Sequence, residues 1–264
     1  MNSAEERAIR FLYERYSESL SLADIANSAI LSRFHFCRTF RDATGVTPGR
    51  FLSAIRIYQA KRMLLNTKMN VTDIAFAVGY NSLGSFSNHF TDSVGIAPGR
   101  FRRVSQDGGF KLPSPRQNSD APNGATVTGT IAFPRGYARG RVYLGVFDTP
   151  IVQRQPAASV IIETPDTAFQ LAGVPDGTFY LRAVAVSDNM DPEPWTRRTL
   201  LVGGVGPMTI TADAVISARV ELRPRRATDL PILLALPDLE PHATDITPEQ
   251  VGLAAVPGMR SAPC

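Results

Sequence analysis

Over the first hundred positions apolar side chains return every three or four residues, first as Ile9, Leu12, Tyr13 and Tyr16, then as Leu22, Ile25, Ala26 and Ala29. That period predicts helices. A following helix from about Ser32 to Thr44 turns Phe36, Phe40 and Ala43 toward a core and leaves Phe34, Cys37, Arg38 and Arg41 on the opposite face. Arg50 to Asn66 reads as one uninterrupted helix, with Phe51, Ile55, Tyr58, Met63, Leu64 and Leu65 supplying contacts on both sides. From Ala125 the period becomes two. Val127 to Phe133, Arg141 to Phe147, Ser159 to Thr164, Phe179 to Ser187, Thr199 to Val202, Met208 to Thr211 and Ile216 to Leu222 are strand candidates, and Phe169-Gln170-Leu171 leads through a tight turn at Gly173 to Gly177 into the long strand from Phe179. Seven or eight short strands in about a hundred residues predict an all-β sandwich. The chain is therefore multidomain: an all-α unit at 1–105, a polar Gly- and Pro-rich linker at 106–124, an all-β sandwich at 125–226, and a Pro-rich tail at 227–264. One apolar island in that tail, Ile232 to Leu236, reads as a last strand or a segment docked on the sandwich.

The helical part contains one pattern twice. Thr44-Gly45-Val46-Thr47-Pro48-Gly49-Arg50-Phe51 returns as Val94-Gly95-Ile96-Ala97-Pro98-Gly99-Arg100-Phe101, and Asp24-Ile25-Ala26 returns as Asp73-Ile74-Ala75. Each copy opens a helix with a capping residue and an acid three positions on, Ser21 with Asp24 and Asn70 with Asp73. Each then passes through a short turn into a second helix, which makes two bihelical units. In the first unit the outward stripe of Phe34, Cys37, Arg38 and Arg41 suits the DNA major groove: a guanidinium bridges guanine O6 and N7 or grips phosphate, and apolar surface meets a thymine methyl. In the second, Phe86 and Phe90 point inward and Gly84, Ser87, Asn88 and Thr91 outward. The helix between the units is a rod of roughly 25 Å, a spacer suited to reading segments about one duplex turn, ~34 Å, apart.

Charge sharpens this picture. The net +4 of the 264 residues divides unevenly: residues 1–105 hold 14 Lys and Arg against 8 Asp and Glu, and the remainder holds 14 against 16. The basic half is the one to expect on a polyanion. Arg38 is expected to read bases and Arg41 to touch phosphate. Cys37 and Cys264 lie in different segments, and His35, His89 and His242 have no paired spacing, so neither a disulfide framework nor a metal site is expected, and no cofactor. His35 and His89 have two readings, phosphate contact or packing on a neighbouring helix. No apolar run approaches a bilayer span, and the acidic start Met1 to Arg7 is unlike an export signal. The expectation is a cytoplasmic protein away from the membrane. No nucleophile elbow, phosphate loop, metal triad or close carboxylate pair is recognisable, so an enzyme is not expected.

Several motifs then resemble a known family. Arg56-x-x-x-Ala60-x-x-x-Leu64-Leu65, Val71-Thr72-Asp73-Ile74-Ala75-x-x-Val78-Gly79-Tyr80, and Phe86-x-x-x-Phe90-x-x-x-x-Gly95-x-x-Pro98-x-x-Phe101-Arg102 are similar to the AraC/XylS transcription regulators over about residues 5–104. The resemblance implies a seven-helix double helix-turn-helix domain on double-stranded DNA near promoters, most often an activator, with RNA polymerase as a further partner. Carried over by position, it implies reading residues Arg33, Phe34, Cys37 and Arg38 in the first unit and Leu83, Gly84, Ser85 and Asn88 in the second. Two departures stand out. The second reading helix has Asn88 where the family very often has a basic residue, and neither His89, Thr91 nor Asp92 restores one, which puts less of the binding on this half. The extra domain also follows the DNA-binding part, where many members place a sensor before it.

The β region, through Tyr143-Leu144-Gly145-Val146-Phe147-Asp148 and the proline-glycine hairpin and aromatic strand of Gly173-Val174-Pro175-Asp176-Gly177-Thr178-Phe179-Tyr180, resembles the carboxypeptidase regulatory-like, transthyretin-type sandwich, a non-catalytic module. Sensing of a small-molecule or protein effector, homodimerisation and partner binding all stay open for it, as does a chain in which the β region is primary for assembly or ligand binding and the DNA-binding half only recruits it. The acidic loop Ser187 to Trp195 has two readings, a calcium or sugar site and a solvated hairpin loop. The second is preferred because the glycine spacing of a calcium loop is missing.

Overall fold

The computed structural model describes residues 3–106, 124–137, 140–163, 167–188, 198–226 and 228–236. Most of the proposed linker, most of the Ser187 to Trp195 loop including Trp195, and the tail beyond 236 with His242 and Cys264 lie outside the described residues.

Seven helices make up the first unit: α1 (Ala4–Arg15), α2 (Leu22–Ser28), α3 (Arg33–Thr44), α4 (Pro48–Asn66), α5 (Val71–Ala77), α6 (Leu83–Val94) and α7 (Pro98–Gln106). Side-chain caps fix where they begin. Ser3 and Ser21 form reciprocal capping boxes with Glu6 and Asp24, Ser32, Asn70 and Ser82 cap α3, α5 and α6, and Thr47 caps α4 ahead of Pro48. Each such cap supplies an acceptor to an otherwise orphan amide and is worth about 1 kcal/mol. Two hydrogen bonds from Ser21 hold the exposed Asp24 carboxyl below the usual carboxylate range. The two long second helices both stop at a left-handed glycine, Gly45 (φ 78°) and Gly95 (φ 92°).

The repeat is also a repeat of packing. Phe36, Phe40 and Phe51 stack in sequence at centroid distances of 5.3 and 5.5 Å, and Phe86, Phe90 and Phe101 do so at 5.6 and 5.7 Å. All six rings are buried in one cluster. The rod α4 lies between the units and buries residues on every side, from Phe51 and Ile55 to Ala60 and Leu64. Ala43, expected inward, is exposed. It falls where α3 has already run past the core, and Val46 after the cap takes the buried place instead.

One backbone position separates the two copies. Gly79 ends the α5 turn at φ 87°, and its counterpart in the turn after α2 is Ile30 at φ 59°, 80% exposed. A β-branched residue there bears steric strain of about 1–2 kcal/mol that glycine escapes. Since the side chain packs on little, Ile30→Gly is expected to stabilise the protein by about 0.5–1 kcal/mol after the entropic cost of glycine in the unfolded chain. The midpoint of urea unfolding measures it, and a lower midpoint would contradict the strain argument.

The β region comprises β1 (Ala125–Ala132), β2 (Val142–Phe147), β3 (Ala158–Ile162), β4 (Ala168–Val174), β5 (Gly177–Asp188), β6 (Arg198–Ile210), β7 (Val215–Glu221) and β8 (Arg223–Pro224). They form a three-stranded sheet, β4-β1-β7, and a five-stranded sheet, β3-β2-β5-β6-β8. The pairings are antiparallel except β1 with β7, which is parallel. Val127, Leu171 and Val220 of the small sheet and Leu144, Leu181 and Leu201 of the large one meet in a single buried cluster.

Two strand expectations need correction. Thr199 to Val202 and Met208 to Ile210 belong to one long strand, β6, because the intervening Gly-Pro dipeptide is absorbed by a register shift opposite Phe179 to Leu181, and the strand stops short of Thr211. The turn from Gly173 to Gly177 joins different sheets, β4 pairing with β1 and β5 with β2 and β6, so it is a crossing and not a hairpin. Leu171 and Val174 thereby reach the shared cluster from one side and Leu181 from the other.

The outer face of the large sheet is not left to solvent. Tyr143, Phe147 and Val184 on that face pack with Ile232, Leu234 and Leu236, while Leu233 and Ala235 belong to the helical core. The island Ile232 to Leu236 is therefore a docked segment and not a strand. It is held by backbone bonds from Leu233 and Leu234 to Val152 O (2.9 and 3.0 Å) and from Ala235 to Val94 O (3.2 Å).

Candidate nucleic-acid interface

The outer ridge of α3 is built by its N-cap and its core face together. Ser32 accepts from the His35 amide, and burial of Phe36 and Phe40 fixes the rotation of the helix. Arg33, Phe34, Arg38 and Arg41 then point outward and are exposed, and Cys37 is half-buried on the flank. Phe34 is 85% exposed, although a phenylalanine in water forfeits roughly 1.5–3 kcal/mol of available burial. Among the described residues, neither the β region nor another helix covers this ridge.

On α6, Ser82 accepts from the Ser85 amide and Phe86 and Phe90 are buried, so the second ridge repeats the geometry of the first. Leu83, Gly84, Ser85 and Asn88 are exposed, and a Cβ added at Gly84 would meet nothing within 4 Å. Ser87 is only half-exposed, its carbonyl accepting from Thr91 Oγ1 at 2.7 Å.

The two histidines differ. His35 is exposed on the α3 ridge. His89 is tucked under its helix with Nδ1 at 2.5 Å from the Tyr80 hydroxyl and 3.5 Å from Ser53 Oγ, and burial lowers its pKa against the opposing pull of Asp92. For His89 the packing reading holds.

Two sets of arginines stand out in the helical unit. Arg7 donates to Ala29 O (2.8 Å), Arg56 to Tyr16 O and Glu18 O (2.7 and 2.8 Å), and Arg102 to Leu64 O and Met69 O (3.0 and 2.6 Å). These guanidiniums hold together the ends of helices. Arg33, Arg38, Arg41, Arg50, Arg100 and Arg103 are exposed instead and supply the outward positive field.

The sequence did not reveal that the β2–β3 loop reaches the far ends of both ridges. Pro150 lies against Gly45, close enough that a Cβ there would be 3.4 Å from its ring. Arg154 donates through its backbone N to Ser93 O (2.9 Å), and its guanidinium meets Asp92 at 2.8 Å. Ile151 between them is buried in the helical core. Asp92 shares a face of α6 with Ser85 and Asn88, so Arg154 offsets the acid on a ridge that has no Lys or Arg of its own. Sixty residues of intervening chain and no local motif explain why pattern analysis missed this contact. Among the described residues no three His, Cys, Asp or Glu converge on a common point, and no helix is long and apolar enough to cross a membrane.

Two bihelical units on a shared rod, each with an uncovered second-helix ridge, define a double helix-turn-helix domain. Residues 7–104 match the family described as a helix-turn-helix domain, and this part of the chain is of the AraC type. Among curated proteins it is similar to the lactose operon transcription activator of Staphylococcus xylosus, 29% identical over 39% of this chain and 37% of that protein. It is also similar to the virulence regulon transcriptional activator VirF of Yersinia enterocolitica, 31% identical over 38% and 37%, and to the melibiose operon regulatory protein of Escherichia coli, 28% identical over 36% and 32%. The match thus spans about a third of the length of these relatives. Among solved structures, the DNA-binding domain of AdpA in complex with a target DNA is 26% identical, covering 40% of this chain and 96% of that one at a TM-score of 0.39.

Proposed function

We propose that the chain is a sequence-specific transcription regulator that reads two adjacent major-groove segments of double-stranded DNA, with the α3 ridge as the principal reader. The observation that carries this reading is the uncovered ridge itself, Phe34 at 85% exposure beside exposed Arg33, Arg38 and Arg41. Arg38, in mid-helix, reads a base edge, and Arg41, a turn nearer the C-terminus, grips phosphate. Phe34 and Cys37 offer apolar surface to thymine methyls. Leu83, Gly84, Ser85 and Asn88 read through shape, methyl contact and a side-chain amide, without help from a fixed cation on α6. We read the two sheets as a transthyretin-type sandwich that braces both ridges from behind.

Arg38→Ala is expected to cost about 1–3 kcal/mol at a selected site and to relax preference at one or two base pairs. Arg41→Ala weakens all sequences alike and lowers the salt slope by about one. Selection from a random DNA pool followed by salt-dependent binding measurements tests both. Unchanged binding in both variants would place the reading ridge elsewhere.

A further inference from the structure

A cavity of about 330 Å³ opens between the last turn of α3 and the outer face of the five-stranded sheet. Ala43 and Thr44 form one wall, Pro150 and Val152 a second, Arg182, Val184 and Val202 of the sheet the floor, and the segment from Thr228 to Ile232 the roof. Its volume lies at the small end of ligand sites.

Arg182 is the unusual group there. It stands on β5 opposite Gly204, where a Cβ would fall 2.6 Å from its Nη1, so only a glycine lets the guanidinium lie across the sheet. Its Nε donates to Pro150 O (3.0 Å), and its Nη1 donates to Leu181 O (3.1 Å) and Val205 O (3.3 Å). Among the described residues nothing accepts from Nη2, and no carboxylate lies in ion-pair range. Burial accordingly lowers its pKa, with only Tyr180 acting the other way. The other charges on the walls have partners. Asp229 takes two bonds from Arg223 (2.6 and 2.7 Å) and one from the Arg226 amide, and Glu221 faces Arg219 at 3.5 Å. The guanidinium carbon also lies over the Tyr180 ring at 5.2 Å, but a largely buried cation without a counter-charge remains costly, and Nη2 is left to donate to a carboxylate oxygen.

From this geometry we infer that the cavity binds a small monocarboxylate, its carboxyl on Arg182 and its short hydrocarbon body against Val152, Val184, Val202 and Ile232. Arg223 on the wall is already paired with Asp229, so Arg182 is the one cation of the described lining without a counter-charge, and a dicarboxylate or phosphate dianion would find no second one. The ligand touches Thr44 directly and shares Arg182 with Pro150, which rests on Gly45. It therefore bears on the C-terminal end of the first reading helix. This last step, coupling to DNA, rests on the proposed function; binding of the acid does not.

The test uses the full chain with straight-chain carboxylates from acetate to octanoate at matched ionic strength, and the corresponding amides as uncharged controls. At least one carboxylate is expected to raise Tm saturably, by about 5–10 °C at a hundred times its Kd, while its amide does not. Arg182→Met, which keeps the stem, weakens that binding at least tenfold by calorimetry. Val202→Phe, which fills the cavity and keeps Arg182, abolishes it, so the proposal stays testable if the first variant folds poorly. No binding by any member below 10 mM, equal binding of the amides, or full retention in both variants overturns the site. A carboxylate that binds but leaves affinity for a selected DNA site unchanged overturns the coupling alone. Absence of DNA binding with intact carboxylate binding sinks the proposed function and leaves the cavity assigned.

Discussion

Phe90→Ala is expected to destabilise the helical unit by about 3–5 kcal/mol, enough to leave a marginal domain largely unfolded. Phe90 is completely buried and touches two partners, Phe86 at 5.6 Å in its own helix and Phe101 at 5.7 Å in α7. Removing it forfeits the transfer free energy of a ring and leaves a void that the rod α4 cannot collapse into, since its own side chains are committed on every face. The edge-to-face contact with Phe101 contributes a further ~0.5–1.5 kcal/mol. Phe90→Leu should recover part of this by refilling the volume. Chemical denaturation followed by far-UV circular dichroism measures both variants. A loss below about 1 kcal/mol for Phe90→Ala would show that the second aromatic ladder is not the packing element described above. The same substitution at Phe40 should behave alike, because Phe36, Phe40 and Phe51 repeat the arrangement.

How much of this was legible in the sequence depends on whether a feature is local. The helices announced themselves because caps, apolar spacing and terminal glycines agree within each segment: Ser21 with Asp24, Phe36 with Phe40, and Gly45 after Thr44 all point to the same boundaries. Duplication then made the two ridges readable, since a stripe found twice at the same offset from a buried Phe pair is fixed by packing and not by chance. The strands were harder. Gly203, Gly204 and Gly206-Pro207 look like a turn, yet a Cβ at Gly203 would meet Glu221 O at 2.5 Å and one at Gly204 would meet Leu181 O at 2.5 Å. These glycines are close approaches inside a strand, which a period-two scan mistakes for punctuation. The contacts of Pro150 with Gly45, Arg154 with Asp92 and Leu234 with Lys61 (3.3 Å from Nζ to the carbonyl) join residues 62 to 173 positions apart, and no spacing rule encodes them.

Leu233→Asp should unseat the helical unit from the β region. In the segment 232–236 side chains alternate between two masters: Ile232, Leu234 and Leu236 face the sheet, and Leu233 and Ala235 face the helices. Leu233 is 1% exposed within the apolar helical core, and moving a carboxylate from water into that setting carries a penalty of several kcal/mol. The chain has a way out that a central core residue lacks, because the segment can lift off its groove. The cost is then limited to the free energy of docking, and the helical and β cores each survive. Hydrogen exchange should report this at the amides that the segment commits, Leu233 and Leu234 to Val152 O and Ala235 to Val94 O, with protection falling about 100-fold where ~3 kcal/mol of docking is lost. Far-UV circular dichroism should barely change, and calorimetry should resolve two transitions where the parent shows one coupled event. Leu233→Met, which keeps volume and polarity, serves as the control and should leave all three amides protected. If the aspartate variant kept the protection of Ala235 as well, the segment would not be the wedge between the two cores, and the brace behind the reading helices would have to rest on the β2–β3 loop, through Pro150 on Gly45, the buried Ile151, the Arg154 N to Ser93 O bond and the Arg154 to Asp92 pair. An exposed pair of that kind is worth about 0–1 kcal/mol, too little to hold two domains in one orientation.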